Sequence, residues 1–132
     1  MALSDITAVC EQLNVVALAI DAQLTIALSE DNGFRTSDLE RRSLLPRECE
    51  SWVASINSLM AVPIRGQLLA ETLSPVVGTI LETHPRACLL FGLGGKHLDD
   101  IKSYKRGGAA VASVQRLWNA WCARYAIGAG WS

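Results

Sequence analysis

Two stretches decide the fold: Val15-Val16-Ala17-Leu18-Ala19-Ile20-Asp21 and Val76-Val77-Gly78-Thr79-Ile80-Leu81-Glu82-Thr83-His84-Pro85. Each contains an apolar run that ends in a carboxylate. An apolar run without alternation suits a strand covered on both faces, as in a parallel sheet flanked by helices. In open α/β sheets the ligand site lies beyond the carboxyl ends of the strands. Two parallel neighbours would bring Asp21 and Glu82 together at one edge, with His84 close by. Of all the chain's residues, this constellation looks most chemical.

Helices are expected around these strands. Asp5 to Leu13 reads as a helix with Ser4 as its N-cap and Asn14 at its close. Residues 22–32 read as a loop leaving the sheet edge, and Asp31-Asn32-Gly33 signals a turn. Thr36 or Ser37 can cap a short helix that carries Asp38 in its first turn and stops at Pro46. A further helix is predicted from Glu48 to Met60, on the stripe Trp52, Val53, Ile56 and Leu59. Pro63 opens the next, through Leu73, and Ser74-Pro75 ends it. Pro85 suits a first helical position, and Gly92, Gly94 and Gly95 break the chain after Phe91. Lys96 to Arg106 reads as a polar loop. Ala110, Val111, Val114, Leu117, Trp118, Trp121, Cys122 and Tyr125 then fall on helical spacing, with Gly128 as the stop. The alternation predicts a single α/β domain over residues 1–132, with helices packed around a small parallel sheet.

Bulk composition narrows the function classes. The 132 residues carry a net charge of −1, so charge gives no strong footprint for nucleic acid, which stays possible as a partner but is not indicated. Only 19% are charged, below the usual ~25%, which points to a well-filled core or to surface buried in a partner. Cys10, Cys49, Cys88 and Cys122 show no zinc or dithiol spacing and fit buried thiols in a reducing cytoplasm. No secretory signal is visible, and the apolar runs are too short to span a membrane. Gly92-Leu93-Gly94-Gly95-Lys96 lacks the spacing of a phosphate loop.

Taken in order, Ala19-Ile20-Asp21-Ala22-Gln23-Leu24, Gly33-Phe34-Arg35-Thr36-Ser37-Asp38, Arg65-Gly66-Gln67-Leu68-Leu69-Ala70, Leu81-Glu82-Thr83-His84-Pro85 and Ser103-Tyr104-Lys105-Arg106-Gly107 resemble the family called domain of unknown function 429. The likeness covers residues 15–107, the second half of such a domain. It implies a ribonuclease-H-like fold and a predicted nuclease. It places Asp21 on an acidic motif at a strand end, and Arg35 and Asp38 on the family's R-x-x-D element. Glu82, His84 and Pro85 fall on its E-V-H-P element, and Lys105 on a basic loop position. The resemblance thus implies Asp21, Glu82 and His84 as catalytic residues, Asp21 and Glu82 as Mg²⁺ ligands, and Arg35, Asp38 and Lys105 as substrate contacts. The family's first acidic strand has no counterpart here, because residues 1–14 read as a helix. Gln23 stands where a Pro is common.

Two functions follow as expectations. One is a metal-dependent nuclease, in which several carboxylates must converge on Mg²⁺ ions about 4 Å apart. The other, preferred on the incomplete acid set and the near-neutral charge, is a non-catalytic binding or assembly module. Each residue also has a structural reading. Asp21 can cap a strand end, Glu82 can pair with Arg35, Arg65 or Arg86, His84 can cap the helix at Pro85, and Arg35 can pair with Asp38. Two strands leave unpaired edges, and Trp118, Trp121 and Tyr125 exceed what such a sheet covers, so a homodimer through the C-terminal helix, the free strand edge or both is expected.

Overall fold

Cys10, Leu73 and Val77 form the centre of an apolar cluster, with Ile6, Val15, Leu18, Leu69, Val76 and Ile80 packed around it. Those residues come from two helices and two strands with their flanks, and they define how the first part of the chain is assembled. The computed structural model describes residues 3–25, 33–59 and 61–126. The chain divides into two compact units, Met1–His84 and Pro85–Ser132.

In the first unit, α1 (Leu3–Gln12) ends at Asn14, whose positive φ of 50° closes the helix as expected. The chain then enters β1 (Ala17–Ile20). β1 pairs in parallel with β2 (Thr79–Glu82), in a register that sets Ala17 opposite Thr79 and Ile20 opposite Glu82. Among the described residues the sheet has these two strands. Leu18 and Ile80 pack beneath α1 and α4 (Ala61–Leu73), whereas Ala17, Ala19, Thr79 and Leu81 are exposed. The expectation of strands covered on both faces is therefore corrected. Two of the outward positions are alanines, which expose little apolar area and cost little to leave uncovered.

α2 (Thr36–Ser43) forms where predicted, but its N-cap is Arg35 rather than Thr36 or Ser37. The predicted helix from Glu48 onwards is also corrected. The chain instead makes a 3₁₀ segment, Arg47–Trp52, turns extended at Val53, and restarts as α3 (Ile56–Leu59). The carbonyls of Glu50 and Val53 accept from Arg42 Nη1, both at 3.0 Å, and the carbonyl of Ala54 accepts from Gln23. Side chains from outside thus claim acceptors that a continuous helix would need for itself. Ser55, hydrogen-bonded to Ser58 through its hydroxyl, begins the new turn. Met60 and the predicted turn at Asp31-Asn32 lie outside the described residues.

The second unit holds α5 (Pro85–Leu93), α6 (Leu98–Ser103) and α7 (Ala110–Tyr125). Pro85 takes the first helical position, as read from the sequence. Gly92 lies inside α5, and the break falls at Gly94, with φ of 84°. Lys96 to Arg106 is a helix-bearing segment rather than a loop. Ile101 is fully buried, Ser103 Oγ meets Ser113 Oγ at 3.0 Å, and Asp100 pairs with Arg116 at 2.6 Å. α7 closes at Ala126 in the left-handed conformation, and Gly128 lies outside the described residues. No helix of the described residues is long and apolar enough to cross a membrane.

Candidate functional site

The site grows from the carboxyl ends of the two strands. β2 ends in Glu82, and beyond β1 the chain buries Ala22 and Gln23. α4 holds that exit segment through Gly66, where an added Cβ would lie 2.6 Å from the Ala22 Cβ and 3.3 Å from the Gln23 carbonyl oxygen. Only a residue without a side chain lets the helix backbone come so near. The position of Leu24 follows from this approach, and its backbone N–H donates to Glu82 Oε2 at 2.9 Å.

Arg35 is the centre of the arrangement. It is buried, with Nε 2.9 Å from Asp38 Oδ2 and Nη2 2.7 Å from Asp38 Oδ1. On its other edge Nη1 lies 2.8 Å from Glu82 Oε2 and Nη2 2.6 Å from Glu82 Oε1. Nη1 also donates to Thr25 Oγ1 at 2.9 Å. All five guanidinium N–H donors are engaged, and both carboxylates are held by two parallel bonds. A planar guanidinium makes such paired bonds and a lysine cannot.

The local backbone prepares this geometry. The Arg35 carbonyl accepts from the N–H of Asp38 and of Leu39, while its own N–H donates to Asp38 Oδ2 at 3.2 Å. The first turn of α2 therefore fixes Arg35 and Asp38 relative to each other through bonds that do not involve Glu82. Gln23 Nε2 donates to Asp38 Oδ2 and to the Ala54 carbonyl, which fixes its amide orientation and leaves Oε1 buried without a protein partner. Arg41 adds a second cation, 3.4 Å from Glu82 Oε1 and 3.6 Å from Asp38 Oδ1.

Electrostatics follow from the contacts. Burial pushes the Asp38 carboxyl up, but the hydrogen bonds and charge of Arg35 outweigh it and hold it below the usual carboxylate range. Glu82 behaves likewise, with the Leu24 N–H and Arg41 adding to Arg35. Arg35 is held charged above its ordinary value, first by Glu82 and then by Asp38. Burial, then the charge of Arg41, pushes His84 below the usual imidazole range, against the pull of Glu82, Asp21 and Asp38. His84 Nε2 is buried without a hydrogen bond and lies 3.9 Å from Glu82 Oε1.

The structure thus brings Glu82, His84, Arg35 and Asp38 together. Among the described residues, Asp38, Glu82 and His84 are the groups whose ligand atoms come within 4.8 Å of one another. Asp21 follows β1 and is exposed, outside that trio. Lys105 belongs to the second unit, exposed, with its ammonium 5.5 Å from the Tyr104 ring centroid. Gln23 and Arg41 are the members that sequence reasoning missed as site residues. A glutamine three residues beyond the strand was the available signal for Gln23. Arg41 falls one turn after Asp38, at the i,i+3 spacing that pairs charges on a helix.

Each of the four oxygens of Asp38 and Glu82 already accepts from a donor. The two arginines balance the two carboxylates in charge. Such a set holds an internal guanidinium among the oxygens that a divalent cation would use. In comparisons with known proteins, no family model, curated protein or solved structure matches the chain.

Proposed function

We propose that this chain is a non-catalytic binding or assembly module, a degenerate form of the ribonuclease-H-like domain it resembles. The observation that carries the reading is the bidentate grip of Arg35 on both Asp38 and Glu82. Phosphodiester hydrolysis by metal ions needs carboxylate oxygens open to Mg²⁺. Here the guanidinium fills that electrostatic role, and the cluster works as a polar clasp between the strand ends and α2. The near balance of charge supports a protein partner over nucleic acid, and the buried Cys10 and Cys49 thiols support a reducing, cytoplasmic setting.

The second reading is a metal-dependent nuclease. The compact trio of Asp38, Glu82 and His84 favours it, and there the catalytic set would include Asp38 in place of the exposed Asp21. Two measurements separate the readings. Calorimetry with Mg²⁺ and Mn²⁺ to millimolar concentration is expected to show no binding. Single-stranded, double-stranded and hybrid substrates at low salt are expected to stay intact. Turnover that disappears in Glu82→Gln overturns the non-catalytic reading.

A further inference from the structure

α7 carries an apolar seam that its own unit covers only in part, Trp121 lying against Gly92 of α5. Val111, Val114, Trp118, Trp121 and Tyr125 recur at spacings of three, four, three and four, the repeat of a coiled-coil seam. The helix turns a different stripe, Ser113 and Leu117, into the interior of the second unit. On the seam, Val111 is 80% exposed, Val114 48%, Trp118 50% and Tyr125 47%. Beside it runs a groove of about 460 Å³ between α5 and α7, walled by Cys88, Leu89, Tyr104, Trp118 and Trp121. α5 adds Phe91, 52% exposed, next to Gly92, whose carbonyl accepts from the Tyr125 hydroxyl.

We infer that this seam and groove are a self-association surface, occupied by α7 of a second copy of this chain in a two-fold pair. The inference rests on the assembly-module reading. Charge selects the partner. A two-fold contact lays one patch on a second copy of itself, so the patch must be self-complementary and a surplus of one charge sign within it repels. The five seam side chains are themselves uncharged: Gln115 and Asn119 flank them and bond to each other, Arg116 is held by Asp100, and Arg124 lies over the Tyr125 ring, 5.8 Å from its centroid. Area agrees. With about 200 Å² for each aromatic side chain, the exposed parts amount to roughly 500 Å² per protomer. A symmetric pair then buries on the order of 1,000 Å², the lower bound for a specific interface. The groove has room for an aromatic knob from the facing helix, which supplies the shape match that area alone does not.

Sedimentation equilibrium of the full chain across a concentration series from micromolar to hundreds of micromolar tests this. The expected result is a reversible shift from 14.3 kDa to twice that mass. Trp118→Glu is expected to remain at 14.3 kDa with an unchanged far-ultraviolet circular dichroism spectrum. Should Trp118→Glu fail to fold, Val111→Lys serves instead, because Val111 is almost wholly exposed and supports nothing internal. It is expected to weaken the dimer at least tenfold. A chain that stays monomeric throughout overturns the proposal. So does a dimer that Val111→Lys leaves intact while Val16→Lys, beside the exposed sheet, dissolves it. A monomer without metal binding or cleavage leaves the non-catalytic reading standing, whereas a seam-dependent dimer with Glu82-dependent cleavage sinks that reading and keeps this one.

Discussion

Replacing Arg35 with Met removes a cation from between buried Asp38 and half-buried Glu82. Five side-chain hydrogen bonds of 2.6–2.9 Å go with it: two to Asp38, two to Glu82 and one to Thr25. Arg41 alone then faces both acids, at 3.4 and 3.6 Å. Removing one partner of a buried ion pair costs about 3–5 kcal/mol, because the charge left behind is neither solvated nor compensated. At a urea m-value of about 2 kcal/mol per molar, the unfolding midpoint of Arg35→Met falls by roughly 2 M. Arg35→Lys recovers little of this, since an ammonium cannot grip two carboxylates bidentately. The pH dependence gives a second readout. In the native chain both acids are held below their ordinary values, so their stabilisation is present above about pH 4 and is lost as pH falls through the folded-state values. In Arg35→Met the buried Asp38 and half-buried Glu82 lose that partner and take up protons at higher pH. The stability gap between variant and wild type therefore narrows between about pH 7 and about pH 4. A loss below about 1 kcal/mol at neutral pH, or a gap that widens in acid, would refute the account of Arg35 as the cluster's internal cation.

Two further outcomes follow from the same unit. His84 is depressed below the usual ~6.5, so the unfolded chain binds its proton first, and stability falls as pH drops from about 6.5 towards the folded-state value. His84→Asn removes that slope, and an NMR titration placing the His84 midpoint above about 6.5 contradicts the burial argument. Gly66→Ala forces a Cβ to within 2.6 Å of the Ala22 Cβ. Overpacking of this kind costs about 1–3 kcal/mol, more than the gain of up to ~1 kcal/mol in helix propensity. A denaturation midpoint that rises in this variant would mean that α4 does not approach the strand exit so closely.

How far these features could be read from sequence depends on range. The two strands, their parallel pairing and the position of Glu82 at a strand end were legible, because each rests on a local apolar run and the parallel-sheet rule. The Arg35–Asp38 pair was legible as one reading of an i,i+3 spacing, and Arg35 stood among the named partners of Glu82. The cap at Arg35 was not, since arginine is no ordinary N-cap and is held there by Asp38 and Glu82 together. The stretch after Glu48 carried a convincing helical stripe. What breaks it is the demand of Arg42 and Gln23 for the carbonyls of Glu50, Val53 and Ala54, and no local pattern announces that. α6 escaped notice because it has only Leu98 and Ile101 to mark its inner face. Asp21 looked equivalent to Glu82 at the level of motifs. The registered pair of Ile20 with Glu82 leaves Asp21 one residue further out, in solvent.

The clasp also sets an order of events during synthesis. Glu82 is the last residue of β2, yet it fastens Leu24 and Arg35, which are made long before it. β1 likewise finds its hydrogen-bonding partner only in β2. While the ribosome is still adding the residues of α4, the strand that completes the sheet and the glutamate that completes the ion cluster have not been made. Arg35, Asp38 and Gln23 must wait in water, their full set of partners unmade. Completion of the cluster requires Glu82, the last of its members to be made. The second unit, Pro85–Ser132, contains none of these partners.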